Sequence, residues 1–125
     1  AAVFADPDLA WVFRPGTVGG RGLSEVPVVL ARAGRGGRTE RITGVIDRLV
    51  VRPDRVDVVD YKTNRWGGDP ARRAWLVDHY RPQLAAYAEA AGVLFPGRAV
   101  RAWLLLTDPA GGDGAAARLA EVGLP

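Results

Sequence analysis

β-Branched and other apolar residues fill two neighbouring runs of the chain, 41–51 and 55–63, with only a short polar interval between them. The interval is Arg52-Pro53-Asp54, where proline presets the first central position of a turn and aspartate suits the second. β-Branched side chains favour strands because they pack well on a pleated surface. The pattern therefore predicts a β-hairpin.

Other segments follow either the three- and four-residue spacing of helices or the short continuous apolar runs of buried strands. The glycine-rich segment 16–22 predicts a loop. The remaining predicted elements are a short helix over 6–13, a strand over 25–31, helical segments over 71–77 and 82–93, and a strand over 100–107. The sequence therefore predicts an α/β domain with a mixed sheet, in the order helix, three strands, helix, strand.

The second hairpin strand ends in the tripeptide Asp60-Tyr61-Lys62. Strand side chains alternate between faces, so Asp60 and Lys62 share one face and Tyr61 takes the other. Asp47 lies in the partner strand, and pairing around the turn places it opposite the neighbourhood of Asp60. A slip of one residue would move it to the other face, so the register stays open here.

Lys62 is the sole lysine, and the other sixteen basic residues are arginines. An ammonium is a compact point donor that shifts its pKa when desolvated, whereas guanidinium is a planar fork that stays charged. Retention of one lysine beside a carboxylate points to chemistry. The alternative is an arginine-biased genome that left one lysine at a strand end by accident.

Composition narrows the possible functions. A chain of 125 residues makes one modest domain, and its net charge of +3 is compatible with a nucleic-acid partner without establishing one. The absence of cysteine excludes a disulfide framework, a cysteine nucleophile and an iron–sulfur cluster. No apolar run is long enough to span a bilayer, and no signal segment opens the chain. We therefore expect no membrane association and a cytoplasmic location.

The two ends predict a fragment of a longer polypeptide. The chain opens on Ala1-Ala2-Val3 without an initiating methionine. Glycines at 111, 112 and 114 predict a flexible tail over 108–125, with at most a short helix over 115–121.

Two carboxylates that converge beside a lysine suit a hard divalent cation. Magnesium prefers oxygen ligands, keeps several of its waters and often completes its shell with a substrate phosphate. Such an ion would polarise a phosphoryl oxygen, and Lys62 would orient the attacking water or neutralise charge in the transition state. The constellation Asp47, Asp60 and Lys62 is therefore a candidate catalytic site for phosphodiester cleavage.

Three motifs carry a family resemblance: Gly44-Val45-Ile46-Asp47-Arg48, then Val58-Val59-Asp60-Tyr61-Lys62-Thr63, then Gln83-Leu84-Ala85-Ala86-Tyr87. In order and spacing they resemble the PD-(D/E)XK nuclease core of the RecB exonuclease family, most closely its AddA-type helicase–nuclease branch. The resemblance covers about 25–107. It implies a restriction-endonuclease-like mixed sheet flanked by helices, with 1–125 as a single nuclease-like domain.

The resemblance implies roles for individual residues. Asp47 and Asp60 would bind Mg²⁺ or Mn²⁺, with the Tyr61 carbonyl as a further ligand, and Lys62 would be the catalytic lysine. Gln83 and Tyr87 would be the glutamine–tyrosine pair that faces DNA and the active site. Because arginine suits phosphate contact, we also predict that Arg48 and Arg65 bind DNA.

The resemblance also implies a setting. It is that of a DNA exonuclease in double-strand-break repair and recombination, which receives single strands from a helicase portion of the same polypeptide and works with a partner of the AddB type. The family usually supplies another metal ligand, often a histidine, from an upstream helix. His79 lies on the wrong side of the motifs and is predicted to be a surface residue. A non-catalytic DNA-binding or scaffolding domain and a stand-alone nuclease of the same fold remain alternatives.

Several residues have two interpretations at this stage. Glu25 either assists the site or flanks a strand, and Tyr87 is either a functional contact or part of the core. The four tryptophans, Trp11, Trp66, Trp75 and Trp103, are interpreted as core or inter-subunit contacts, with base stacking by Trp66 as the alternative.

Overall fold

A computed structural model describes residues 6–108 and 118–125. Five strands form one mixed sheet in the order β1-β2-β3-β4-β5. Only β3 and β4 run parallel, and the other neighbours are antiparallel. The strands are β1 (Arg21–Ala33), β2 (Thr39–Val51), β3 (Arg55–Lys62), β4 (Ala99–Leu106) and β5 (Leu119–Val122).

Helix α2 (Pro70–Leu94) is the crossover that parallel pairing of β3 and β4 requires. It covers one face of the sheet, where the main core includes Ile46, Leu49, Val58, Leu84 and Leu104. The other face carries a smaller cluster of Leu9, Val12, Val59 and Leu105 under helix α1 (Ala10–Phe13). The predicted α/β mixed sheet is confirmed, and so is the hairpin, whose turn is closed by the Arg52 N–H donating to the Arg55 carbonyl at 2.8 Å.

Two predicted boundaries are wrong, and one short element is confirmed in detail. The glycine-rich loop ends earlier than residue 22, because β1 begins at Arg21. The predicted short helix over 6–13 is confirmed: Asp6 caps a 3₁₀ turn (Pro7–Leu9), which is followed by the single turn of α1. The two predicted helical segments are one helix, α2, which continues through Pro82. An internal proline typically costs about 3 kcal/mol, and here buried residues on both sides of it, Leu76 and Leu84, keep the helix on the sheet.

The prediction of a flexible tail over 108–125 with at most a short helix is wrong for the end of the chain that the structure describes. Leu119–Val122 is not helical but forms β5, which pairs antiparallel with β4, for example Leu104 with Ala120. The rest of the proposed tail helix, 115–117, lies outside the described residues. Among the described residues, no helix has the length and apolar character needed to cross a bilayer.

Gly44 is the point where α2 meets the β1–β2 hairpin. A Cβ added at Gly44 would lie 2.7 Å from both Cε1 and the hydroxyl oxygen of Tyr87, which is 8% exposed. Because Tyr87 has little room to move, we expect Gly44→Ala to lower the free energy of unfolding by about 1–3 kcal/mol, measured by urea denaturation. Gly16→Ala is the matched control, since no atom lies within 4 Å of its added Cβ. Equal stability of the two variants would contradict this packing role.

Candidate active site

The backbone pairing between β2 and β3 ends just before Asp47 and Asp60. The ladder runs from Val51 and Val56 to Arg48 and Val59, and one further step would pair Asp47 with Asp60. Instead, the Asp47 Oδ2 accepts the N–H of Tyr61 at 2.8 Å. The carboxylate thus replaces the backbone acceptor that a continued ladder would supply. Directly opposed residues share a face, so the register that the sequence left open brings Asp47 and Asp60 together.

A change of face in the β1–β2 hairpin accompanies the end of this pairing, which we call the opening in the ladder. Leu23 and Val26 both pack against the α2 core, and so do their partners Leu49 and Ile46. On each strand the two residues are three positions apart, whereas residues on one face of a regular strand are separated by an even number of positions. The irregularity includes Glu25, which has a φ of +53° in a strand, a rare conformation for a residue with a Cβ. Glu25 is exposed and lies at the position opposite Asp47, between two paired positions of the ladder.

Asp60 is buried, with an exposed fraction of 3%. Its Oδ2 lies 3.1 Å from the Lys62 Nζ, an ion-pair distance, but among the described residues this oxygen has no hydrogen bond of acceptable geometry. Burial, followed by a hydrogen bond with the Asp47 carboxyl, raises the pKa of Asp60 to about 6, against the lowering effect of the Lys62 ammonium. Burial is the largest of these effects, so the raised pKa reflects mainly the removal of the Asp60 carboxylate from water.

Asp57 provides an internal comparison. This carboxylate is fully buried on the opposite face of β3. It is well supplied with donors, because the Arg55 Nε donates to its Oδ2 at 3.0 Å and the Trp103 Nε1 donates to its Oδ1 at 2.9 Å. The sequence analysis did not single out Asp57, and its contacts give it a structural role. Asp60 has no comparable set of well-aligned donors, because its Oδ2 has only the ion pair with Lys62, so this carboxylate is the better candidate for a cation ligand.

The position of Lys62 is set by three neighbours. Its carbonyl accepts the backbone N–H of Thr107 at 2.9 Å, and its ammonium lies 4.3 Å from the centroid of the Tyr80 ring as well as next to Asp60. The Tyr80 hydroxyl donates to the Asn64 Oδ1 at 3.2 Å. The sequence analysis missed Tyr80. Its only signal was a tyrosine one helical turn before Gln83, and the contact with Lys62 depends on how α2 crosses the sheet.

The backbone of Tyr61 suits its predicted role. The N–H and carbonyl of a strand residue point to the same side. Because the Tyr61 N–H faces Asp47, the carbonyl faces the same opening in the ladder. Burial raises the pKa of the Tyr61 phenol, which lies on the other face of the sheet near Phe13, with ring centroids 6.1 Å apart. Only the backbone of Tyr61 therefore contributes to the opening.

The donor set at the opening fits a magnesium ion that keeps several waters. It consists of the carboxylates of Asp47 and Asp60 and the Tyr61 carbonyl, all oxygen donors of the kind magnesium prefers. Within 6–108 and 118–125, no group of three histidine, cysteine or acidic residues is placed to hold a metal. His79 is exposed on α2, as predicted for a surface residue.

Gln83 and Tyr87 lie together on α2, one turn apart. The Gln83 Nε2 donates to the Tyr87 hydroxyl at 3.5 Å, and Gln83 is exposed while Tyr87 is buried over Gly44. The structure therefore gives Tyr87 a packing role. A DNA contact by the pair stays a prediction, with the Gln83 amide as its accessible part.

The two predicted arginine contacts differ in accessibility. Arg48 is half-buried, and its guanidinium donates to the Val12 carbonyl at 2.9 Å and to the Ser24 hydroxyl at 2.8 Å. These contacts tie α1 to the hairpin and give Arg48 a structural role. Arg65 is exposed on the loop that follows Lys62. DNA binding by both arginines stays a prediction, and Arg65 is the accessible one.

Base stacking by Trp66 is not supported. Its side chain is 5% exposed and belongs to the main core. The Asp108 Oδ2 accepts the backbone N–H of Trp66 at 3.0 Å and that of Gly67 at 3.2 Å, which holds the loop after Lys62 against the end of β4. The exposed tryptophan is Trp75, at 50%. Burial of Trp66 confirms its interpretation as a core residue, whereas the same interpretation is wrong for Trp75. The contact that holds the Trp66 loop joins positions 42 residues apart.

Comparison with known proteins gives a family match, a related sequence and a similar fold. Residues 8–121 match the family model of the PD-(D/E)XK nuclease superfamily. Over 65 residues, 52% of the chain, the sequence is 42% identical to an ATP-dependent helicase/nuclease from Desulforudis audaxviator (strain MP104C). The chain spans 5% of the length of that relative. The fold resembles the crystal structure of SSO0001, with a TM-score of 0.56, 20% identity, and coverage of 83% of this chain and 42% of that one.

Proposed function

Because the chain belongs to the PD-(D/E)XK nuclease superfamily, we propose that it hydrolyses phosphodiester bonds of single-stranded DNA with Mg²⁺, or Mn²⁺, as its cofactor. One observation carries the proposal. The buried Asp60 carboxylate lies beside Asp47, and its Oδ2 forms an ion pair at 3.1 Å with the only lysine in the chain but has no hydrogen bond of acceptable geometry among the described residues. A bound divalent cation would satisfy that oxygen.

Each residue has a distinct part in the proposed reaction. Asp47 and Asp60 would hold the cation with the Tyr61 carbonyl, and the bound cation would supply a water of lowered pKa and polarisation of the phosphoryl oxygen. Lys62 donates to the attacking water or to a non-bridging oxygen as negative charge develops. Tyr80 and Asp60 hold the ammonium in place from two sides, so little reorganisation is needed during the reaction.

The biological setting is also part of the proposal. The relative from Desulforudis audaxviator is an ATP-dependent helicase/nuclease, and the similarity supports an AddA-type exonuclease that acts in DNA repair and recombination. A helicase portion of the same polypeptide would deliver the DNA strand, and an AddB-type protein would be the partner. We place this activity in the cytoplasm.

A second candidate function is DNA binding without cleavage. The observation that favours it is the limited donor set, since only two acidic side chains converge among the residues that the structure describes. A domain that has lost its affinity for metal would keep the fold, the positive net charge of +3 and the exposed arginines. It would bind DNA in the same orientation but would leave it intact.

The experiment that separates the two candidates is an assay of end-labelled single-stranded DNA with Mg²⁺, Mn²⁺ or chelator. We expect metal-dependent cleavage, and a loss of at least about a hundredfold in Asp47→Asn and Asp60→Asn, as for removal of an electrostatic catalytic group. Asp54→Asn is the matched control, because Asp54 is an exposed carboxylate at the turn, the far end of the same strands. Binding without metal-dependent cleavage would favour the second candidate, and cleavage in chelator would contradict the proposed metal site.

A further inference from the structure

Four exposed residues follow one face of α2 towards the candidate active site. They are Arg72, Trp75, His79 and Gln83, at intervals of three, four and four residues, and we call them the α2 stripe. Residues at these spacings lie above one another on a helix. The stripe is about 16 Å long, given a rise of about 1.5 Å per residue.

The aromatic members of the stripe are stacked. The Arg72 Cζ lies 4.5 Å from the Trp75 ring centroid, and the Trp75 and His79 rings are parallel to within 11° with centroids 4.6 Å apart. The His79 and Tyr80 rings meet edge to face, with centroids 4.9 Å apart. The centroid of the Tyr80 ring in turn lies 4.3 Å from the Lys62 ammonium. A continuous series of ring contacts therefore connects the outer end of the stripe to the candidate catalytic lysine.

Core packing does not account for this series. Trp75 is half exposed, while the buried side of α2 is formed by other residues, among them Leu76 and Leu84. The indole of Trp75 contributes nothing to the main core. A large aromatic ring held in a fixed orientation at the surface is a common feature of binding sites, because it offers apolar area at a low cost in conformational entropy.

We propose that the α2 stripe binds the bases of a single-stranded DNA segment and leads its backbone to Lys62. This inference rests on the proposed function and adds the surface that contacts the substrate. Aromatic rings bind single strands by stacking, which tolerates any base because every base has a π-face. Arg72 and the exposed Arg65 supply positive charge for the phosphates. The nearby Asp78 carboxylate is neutralised by Arg81 at 2.9 Å.

Arg72 would exchange its contact when DNA binds. It precedes Trp75 by one turn and His79 follows by one turn, so the two side chains approach the indole from opposite ends. An exposed cation–π contact is weaker than the stack of a base on an aromatic ring. A base would therefore replace the Arg72 guanidinium over the indole, and the guanidinium would move to the adjacent phosphate.

The test measures the affinity of the protein for a fluorescein-labelled oligothymidylate and for an abasic strand of the same length, in chelator so that no cleavage occurs. We expect Trp75→Leu to weaken binding of oligothymidylate about tenfold and to leave binding of the abasic strand unchanged. Trp75→Phe, which keeps a ring, should bind within about threefold of wild type. Val93→Ala, at an exposed apolar residue of α2 outside the stripe, is the control for lost surface.

The contribution of the Arg72 charge to DNA affinity is tested separately. Arg72→Gln and Arg38→Gln each remove one positive charge, and Arg38 is exposed at the distal end of the β1–β2 hairpin. We expect the first to weaken binding of both strands more than the second. Equal affinities of wild type and Trp75→Leu for oligothymidylate would overturn the inference. It would also be overturned if Trp75→Leu lost as much affinity for blunt duplex DNA, whose bases are not free to stack, as for oligothymidylate. If Trp75→Leu lost binding to a protein partner but kept its affinity for both DNA strands, that result would overturn the inference too.

The outcomes for the stripe and for the nuclease activity are distinguishable. Binding in chelator does not depend on catalysis, so a Trp75-dependent affinity without any metal-dependent cleavage would contradict the proposed activity and support the stripe. Cleavage that is lost in Asp60→Asn but unaffected in rate and affinity by Trp75→Leu would support the activity and contradict the stripe.

Discussion

Lys62→Arg is expected to abolish cleavage of single-stranded DNA and to leave DNA affinity nearly unchanged. The reason is positional. The ammonium lies between Asp60, at 3.1 Å, and the Tyr80 ring, at 4.3 Å. A guanidinium is longer, planar and unable to lose a proton, so it does not fit the same point as a donor to the water or to the transition state. Phosphate attraction depends mainly on the number of charges, which this substitution preserves.

The measurement compares nuclease rate and DNA affinity for wild type, Lys62→Arg and Lys62→Ala. A positional role predicts that both variants lose at least about a hundredfold in rate. If arginine keeps more than about a tenth of the wild-type rate, a deficit of less than about 1.4 kcal/mol, Lys62 acts only as a local positive charge. Arg65→Lys is the matched control for an exchange of the two cations, at an exposed position on the adjacent loop.

Asp60→Asn is expected to stabilise the metal-free protein above pH 7 and to remove its stabilisation by divalent cations. Burial raises the pKa of Asp60 from 3.8 to about 6, so the folded state holds this proton more tightly than the unfolded state. The favourable contribution is complete below about pH 4 and is lost as the pH rises through 6. The shift corresponds to about 3 kcal/mol, an upper bound on the gain because asparagine also loses the ion pair with Lys62.

Urea denaturation of wild type and Asp60→Asn between pH 4 and 8, with chelator or with Mg²⁺, measures both effects. The wild-type free energy of unfolding should fall across this range in chelator and recover when Mg²⁺ is added, because a ligand that binds only the folded state stabilises it. The variant should show neither change. Asp54→Asn, at the exposed turn, should behave as wild type. Equal Mg²⁺ stabilisation of wild type and Asp60→Asn would remove Asp60 from the metal site.

The hairpin and the site residues could be read from local sequence rules. Pro53-Asp54 set the turn, and the period of two placed Asp60 and Lys62 on one face and Tyr61 on the other. Those rules did not choose the register. In the structure, the carboxylate of Asp47 takes the place of a backbone acceptor for Tyr61, and this side-chain contact ends the ladder where the site opens. Alternation along the strand also fails at Glu25, where the backbone turns to a φ of +53°.

The residues around the site depended on contacts between distant segments. Trp66 was interpreted as a core contact, with base stacking as the alternative, and it does lie in the core, where Asp108 holds its loop. Trp75 was given the same core interpretation but stays at the surface. Tyr80 falls between the two predicted helical segments, and it contacts Lys62 from the single helix α2 that replaces them. A proline signals a helix boundary locally, and the burial of apolar residues on both sides of it outweighs that signal.

The sequence by itself determined the hairpin, the side chains of the candidate site and their chemistry, because turn preferences, strand alternation and the nature of an ammonium beside two carboxylates are local properties. Only the tertiary structure decided the convergence of Asp47 with Asp60, the exposure of Trp75 and the fifth strand, Leu119–Val122. Each of these depends on which surfaces of distant segments are buried against one another. Burial is a property of the whole fold, and no local pattern in the chain contains it.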